Sequence, residues 1–206
     1  MLNGLKRRVS FDVFDNRIQY LLLVFFLVVG ITAGTFTVSH MQPGEKTALT
    51  GYIDMLFLAV KTQEIDYFAV FFHAFLQNTL LFGAITLFSL VMLGVLMIPV
   101  VMVIKGFCVG FTVGVLSVNL GFTGFAAIVF CEFIPNLVLI PCILKAGVMG
   151  LNNTITVFKT RRVPSTTVDK LIMARPHFSK MLKVYFVSFI GVILESLLTP
   201  ALIKLL

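Results

Sequence analysis

Residues 67–104 read YFAVFFHAFLQNTLLFGAITLFSLVMLGVLMIPVVMVI, 38 positions without one Asp, Glu, Lys or Arg. A membrane span needs about 20 mostly apolar residues. This run is therefore too long for one upright helix and too short for two with an ordinary loop. Its layout predicts a span at 78–98, led by an interfacial helix around 67–76 that carries Phe68, Phe71, Phe72 and Phe75. Pro99 has no backbone donor and breaks the pattern. A third span then follows at 100–118 and ends in a turn at Asn119-Leu120-Gly121.

Other apolar runs extend the pattern on both sides. Positions 18–39 are uncharged for 22 residues and follow Lys6, Arg7, Arg8 and Arg17. That core is longer than the roughly 7–15 residues of a signal peptide, and Thr37-Val38-Ser39-His40 offers no small-x-small cleavage site. A retained first span is expected. Segment 41–66 is mildly acidic, with Ile53, Leu56, Phe57 and Val60 at helical spacing, and suits the membrane surface. A fourth hydrophobic segment, 122–149, contains Glu132, Pro135, Asn136, Pro141 and Lys145. Its two prolines, like Pro99, are expected helix breaks. Segment 152–183 is a polar, basic loop, and a last span at 184–203 is interrupted only by Glu195. The expected fold is all-α. It is a single polytopic integral membrane domain over 1–206, with about five transmembrane helices plus short amphipathic interfacial helices.

Composition agrees: 59% hydrophobic, 12% charged, 22 Phe, 15 Gly and a mean hydropathy of +1.05. Soluble domains run near a quarter charged, and disordered chains need low hydrophobicity, so both classes are excluded. The net charge of +7 first suggests a polyanion, but its distribution says otherwise. Residues 152–183 hold seven Lys and Arg against Asp169 alone, the first 17 residues hold four basic against two acidic, and 41–66 hold two against four. By the positive-inside rule the N-terminus and the 152–183 loop are cytoplasmic and 41–66 is outside, which five spans satisfy. The basic loop then serves topology and anionic lipid. With only Phe158 and Phe178 to stack bases, no nucleic-acid partner is expected.

Candidates for chemistry are few. Cys108, Cys131 and Cys142 lie in hydrophobic segments without CxxC spacing, and buried thiols usually serve packing. His40, His73 and His177 fall in three segments with no metal-ligand spacing. No Asp lies in a proposed span, and no His stands mid-membrane to activate a serine. No enzymatic activity, metal or cofactor is expected. What remains is the intramembrane polar set Lys105, Glu132, Glu195, Asn136 and Lys145, costly in hydrocarbon and functional by default. The 1.5 Å helical rise puts Glu132, Glu195 and Lys105 about 15, 12 and 20 Å below the outer end, near enough to meet. They could be a structural ion pair or a partly protonated carboxyl cluster that fixes helix register, or a relay in a small transporter or channel. Gly106, Gly110 and Gly114 form a ridge at four-residue spacing in span three, and Gly30 and Gly34 a shorter one in span one. Such ridges serve close packing inside the chain, a homodimer, or a partner's single helix.

Three stretches resemble one known family: IPVVMVIKGFCVGFTVG at 98–114, Asn78 with the following Leu80-Leu81-Phe82-Gly83, and PNLVLIP at 135–141. Together they are similar to the stage II sporulation protein M family, over about residues 10–206. The resemblance implies a non-enzymatic membrane protein of spore-forming bacteria. It also implies two partners, the stage II sporulation proteins D and P, which are membrane-anchored peptidoglycan hydrolases. The implied role is a platform that holds them at the sporulation septum for wall thinning and engulfment. No catalytic residue is implied.

Overall fold

The computed structural model describes residues 15–62, 67–91, 93–127, 132–160 and 167–205. Six helices account for nearly all of them, with no strand among the described residues: α1 Arg17–Ser39, α2 Pro43–Thr62, α3 Tyr67–Ser89, α4 Gly94–Ala127, α5 Ile134–Thr160 and α6 Thr167–Leu205. Five are long and apolar enough to cross a membrane, over Arg17–Ser39, Tyr67–Ser89, Gly94–Ser117, Ile134–Val157 and Phe178–Leu198. In lipid every backbone polar group needs an internal partner, which helices supply. The hydroxyls comply too. Thr32, Thr37, Thr86, Thr112 and Ser117 each donate to a carbonyl one turn back.

Outward-facing side chains such as Leu21, Phe25, Phe36, Phe68, Leu80, Leu96, Phe186 and Ile190 form an apolar coat, as lipid as solvent requires. Of the spanning windows, that of α5 is 56% buried and those of α1 and α6 are 28%. α5 is thus the central post, in contact with α1, α3, α4 and α6. Its buried Leu139, Cys142, Ile143, Ala146 and Leu151 join Leu23, Phe82, Ile85, Ile98, Met102 and Val192 in one core. Phe71, Phe75, Phe82, Tyr185 and Phe189 interlock α3 with α6 through edge-to-face and tilted ring contacts.

Polar ties place the helix ends. Gln19 Nε2 donates to Asn152 Oδ1 at 2.7 Å, and Asn152 Nδ2 donates to Asn16 Oδ1 at 2.9 Å. The Ser89 carbonyl accepts from Asn153 Nδ2 at 2.9 Å and Thr154 Oγ1 at 3.3 Å. The start of α1, the end of α3 and the end of α5 therefore share one face of the bundle. At the opposite face, Val38 of α1, Ile53 of α2 and Val115 of α4 form a second small core. Lys46 Nζ caps the carbonyl of Ser39 at 3.1 Å, and Glu45 reaches back to the Gln42 N–H, a partial capping box that starts α2.

Several boundaries differ from the sequence expectation. Residues 67–89 form one helix with no separate interfacial piece, and the chain turns between Ser89 and Gly94, not at Pro99. The turn is tied by Leu90 N–H to Leu87 O at 3.1 Å and Gly94 N–H to Val91 O at 3.0 Å. Gly94 lets it close against the Phe88 carbonyl and the Thr154 hydroxyl, where a Cβ would collide. Pro99 and Pro141 sit inside α4 and α5, because a proline removes only its own donor and neighbouring helices support the rest. Pro135 is the second residue of α5 and follows the π-helical pair Glu132 and Phe133, so its missing N–H falls where π-helix passes into α-helix. α4 continues helical past Asn119-Leu120-Gly121 to Ala127, so 122–127 belong to the third span's helix and the fourth starts at Ile134. Much of 152–183 is helical, as the ends of α5 and α6. Cys131 and the pair Arg161 and Arg162 lie outside the described residues.

Candidate functional site

Two constructions carry the polar and glycine residues singled out in the sequence. The first is the seam between α1 and α4, the most extensive helix contact among the described residues. Both helices run in the same direction, with Gly30 beside Val103 and Phe107, and Gly34 beside Gly110 and Phe111. A Cβ at Gly30 would stand 2.9 Å from Phe107 N, one at Gly34 2.7 Å from Phe111 N, and one at Gly110 2.7 Å from the Ile31 carbonyl carbon. A Cβ at Gly106 would press into the backbone carbonyl of Leu27. Absence of side chains brings the two backbones together, and Thr35 Oγ1 then donates across to Gly110 O at 3.2 Å. Gly114 differs, because its neighbours are Val38 side-chain atoms at 3.1 and 3.2 Å. The ridge is filled by this chain's own first helix.

The second is the intramembrane polar cluster. Asn78, 3% exposed, sits on the buried face of α3 with Ala74, Phe82, Ile85 and Ser89. Its Nδ2 donates to Ala74 O at 2.9 Å and to Glu195 Oε2 of α6 at 3.3 Å. At the head of α5, Asn136 Nδ2 donates to the main-chain carbonyl and to Oε1 of Glu132, both at 2.9 Å. Glu132 lies within electrostatic reach of Lys105 on α4 and of Glu195. Lys105, Glu132, Glu195 and Asn136 are thus brought together by three helices. Lys145 stands apart. It lies beside Cys142, about 20 Å along α5 from Glu132. Glu132 lies in the π-helical pair Glu132 and Phe133 that leads directly into α5, whereas 122–127 belong to α4.

Asn78 is the cluster member that residue type alone overlooks. The signal was present, since its four-residue steps to Ala74 and Phe82 place it on the buried stripe of α3. The amide chain of Asn16, Gln19 and Asn152, and the close approaches at Gly147, Gly150 and Gly191, carry no comparable signal. These involve partners more than a hundred residues away or apolar side chains, which no local motif marks. On chemistry, no group of three His, Cys, Asp or Glu side chains among the described residues could hold a metal ion. His40 stacks on Phe36 with ring centroids 3.8 Å apart. His73 lines an outer crevice of about 390 Å³ with Gln77, Glu195 and Ser196.

Four apolar spans around a fifth that is more deeply buried, with charge inside them limited to the cluster, Lys145 and the helix ends, define a polytopic helical membrane protein that resides in a lipid bilayer. The chain belongs to the stage II sporulation protein M family, whose model matches residues 22–200. It is thereby a sporulation-related multi-pass membrane protein, and no enzyme family is indicated. No curated protein and no solved structure matches it significantly.

Proposed function

We propose that the protein is a non-enzymatic membrane scaffold that holds membrane-anchored peptidoglycan hydrolases, the stage II sporulation proteins D and P, at the sporulation septum for wall thinning and engulfment. Family membership supplies the context. The observation that carries the docking role is a lipid-facing cleft between α3 and α6, of about 320 Å³, lined by Thr79, Gly83, Thr86, Leu87, Phe178 and Met181 among others. The glycines of the α1–α4 seam are occupied by this chain. Gly83, in contrast, has nothing within 4 Å of where a Cβ would stand. A partner's anchor helix needs small residues that let its backbone approach, and this cleft supplies them. On the positive-inside argument α2 lies on the outer face, the side on which wall hydrolases work.

The test is co-purification of both hydrolases from sporulating cells with the wild-type chain and with Gly83→Leu, a substitution into open space. The wild type retains both hydrolases, and Gly83→Leu loses at least one while staying folded. Retention of both by Gly83→Leu refutes the cleft as the docking face. Failure of the wild type to retain either refutes the scaffold role. The competing transporter or channel role would run through Lys105, Glu132 and Glu195. It requires a solute or ion flux in proteoliposomes that Glu132→Gln abolishes.

A further inference from the structure

His73 and Gln77 stand one turn apart on the same side of α3, and both are exposed. They line a crevice of about 390 Å³ between α3 and α6, with Ala69, Val70 and Ala74 beside them and Glu195 and Ser196 of α6 completing the wall. Local sequence makes this groove. Ala69, Ala74 and Ser196 are small and leave space between the helices, whereas Phe71, Phe75 and Phe189 close the neighbouring contact. The 1.5 Å rise puts Ala69 about 3 Å and Gln77 about 15 Å into a span of about 35 Å that begins at Tyr67. The groove therefore runs from the face of the bundle that carries α2 to near the middle of the helix.

Lipid is a poor match for this wall. Imidazole, carboxamide and carboxylate groups inside spans face the bundle interior or water, because hydrocarbon gives them no hydrogen bonds. The other exposed side chains of α3, among them Phe68, Phe72, Leu76 and Leu80, are apolar and form the true lipid surface. A water molecule takes about 30 Å³, so the groove has room for roughly ten. We propose that the crevice is a water-filled inlet that leads from the α2 face to Glu195 and admits small hydrated cations. Among the described residues lining it, Glu195 is the only acid, and no Lys or Arg is present. Asn78 Nδ2 donates to Glu195 Oε2 at 3.3 Å and fixes the carboxylate between the inlet and the polar cluster. Ser196 spends its hydroxyl hydrogen on Ile193 O, which leaves its oxygen, like those of Glu195, as an acceptor toward a cation. A carboxylate that costs dearly in hydrocarbon is thus solvated from one side. The inlet uses a different side of α3 from Thr79, Gly83 and Thr86 of the docking cleft, and it does not depend on the scaffold reading.

The experiment is cysteine labelling of the purified full chain, otherwise cysteine-free, in lipid nanodiscs. Methanethiosulfonates attack as a thiolate forms, which needs water and fails in hydrocarbon. His73→Cys and Gln77→Cys react with the cationic trimethylammonium reagent at least about tenfold faster than Phe72→Cys and Leu76→Cys, their exposed neighbours at the same depth. With each rate taken relative to a free thiol, the anionic sulfonate reagent is slower than the cationic one at Gln77→Cys. Adding Glu195→Gln brings the two relative rates together, and its amide oxygen still accepts from Asn78. His73→Cys gives the same readout should Gln77→Cys fail to fold. Rates at both positions no faster than at Phe72→Cys and Leu76→Cys overturn the proposal, because lipid then fills the groove. Equal relative rates for the two reagents, or a preference that survives Glu195→Gln, overturn the admission of cations. Fast labelling in nanodiscs with protection in native membranes assigns the groove to a partner's helix, and overturns the inlet as well.

Discussion

Replacing Gly110 by Ala adds one methyl group at the tightest point of the α1–α4 seam. The new Cβ stands 2.7 Å from the Ile31 carbonyl carbon and 2.8 Å from Ile31 Cα. Carbon atoms prefer about 3.5–4.0 Å, so the two backbones must part by roughly 1 Å. Backbone cannot rotate out of the way as a side chain can. The separation loosens the neighbouring contacts at Gly30, Gly34 and Gly106 and stretches the 3.2 Å bond from Thr35 Oγ1 to Gly110 O. Overpacking of this kind costs about 1–3 kcal/mol, and an interhelical hydrogen bond in a membrane about 0.6 kcal/mol. The higher helix propensity of Ala offsets up to about 1 kcal/mol. Gly83→Ala has the same propensity gain and no collision, so it is neutral or slightly stabilising. The difference between the two variants is therefore about 1.5–3.5 kcal/mol. Gly114→Ala falls between them, because Val38 side-chain atoms can give. Equilibrium unfolding of the purified chain in mixed micelles measures the order. If Gly110→Ala matched Gly83→Ala within about 0.5 kcal/mol, the two helices would not be seated backbone to backbone.

Three further outcomes are expected. Asn152→Ala cuts the amide chain that joins Asn16 and Gln19 to α5 and leaves Gln19 Nε2 without its acceptor. The unfolding free energy falls by about 1–3 kcal/mol, and an unchanged value would show the chain to be dispensable. Thr154→Val removes a hydroxyl that bonds both the Ser89 and Gly150 carbonyls. The cost is about 1 kcal/mol in the same assay, because Asn153 still serves Ser89, and a double variant with Asn153→Ala costs more than either alone. A single cysteine placed at Lys61 in an otherwise cysteine-free chain is labelled by an impermeant maleimide from outside intact cells, whereas one at Arg162 is labelled only after lysis. The reverse pattern would invert the orientation drawn from the charges.

The α5 helix shows why the sequence boundaries moved. A stretch with Glu132, Pro135 and Pro141 looks interrupted when judged residue by residue, yet Ile134–Thr160 is one helix. The π-helical pair Glu132 and Phe133 leads into it at Pro135, and Pro141 forfeits only one bond. Likewise the turn between Ser89 and Gly94 has no charge or proline in its sequence to announce it. It exists because Gly94 fits against the Phe88 carbonyl and Thr154, and Thr154 is 60 residues away.

The number of spans, the alternation of basic and acidic segments and the glycine spacing are all local properties, and the sequence alone determined them. The membrane makes them legible, because hydrocarbon admits only long uncharged helices and tolerates polar residues only at a cost. Which helix fills the glycine ridge was decided only in three dimensions. The spacing of Gly106, Gly110 and Gly114 suits α1, a second copy or a partner equally. Gly30 and Gly34 of the parallel α1 take the place by fitting their own bare backbone against it. The polar cluster is similar. Lys105, Glu132 and Glu195 are visible as expensive residues, but the recruitment of Asn78 depends on how α3, α4, α5 and α6 are rotated against one another. That rotation is set by the packing of apolar side chains such as Leu139, Ile143 and Phe82, whose contacts span the whole chain and leave no trace in any short motif.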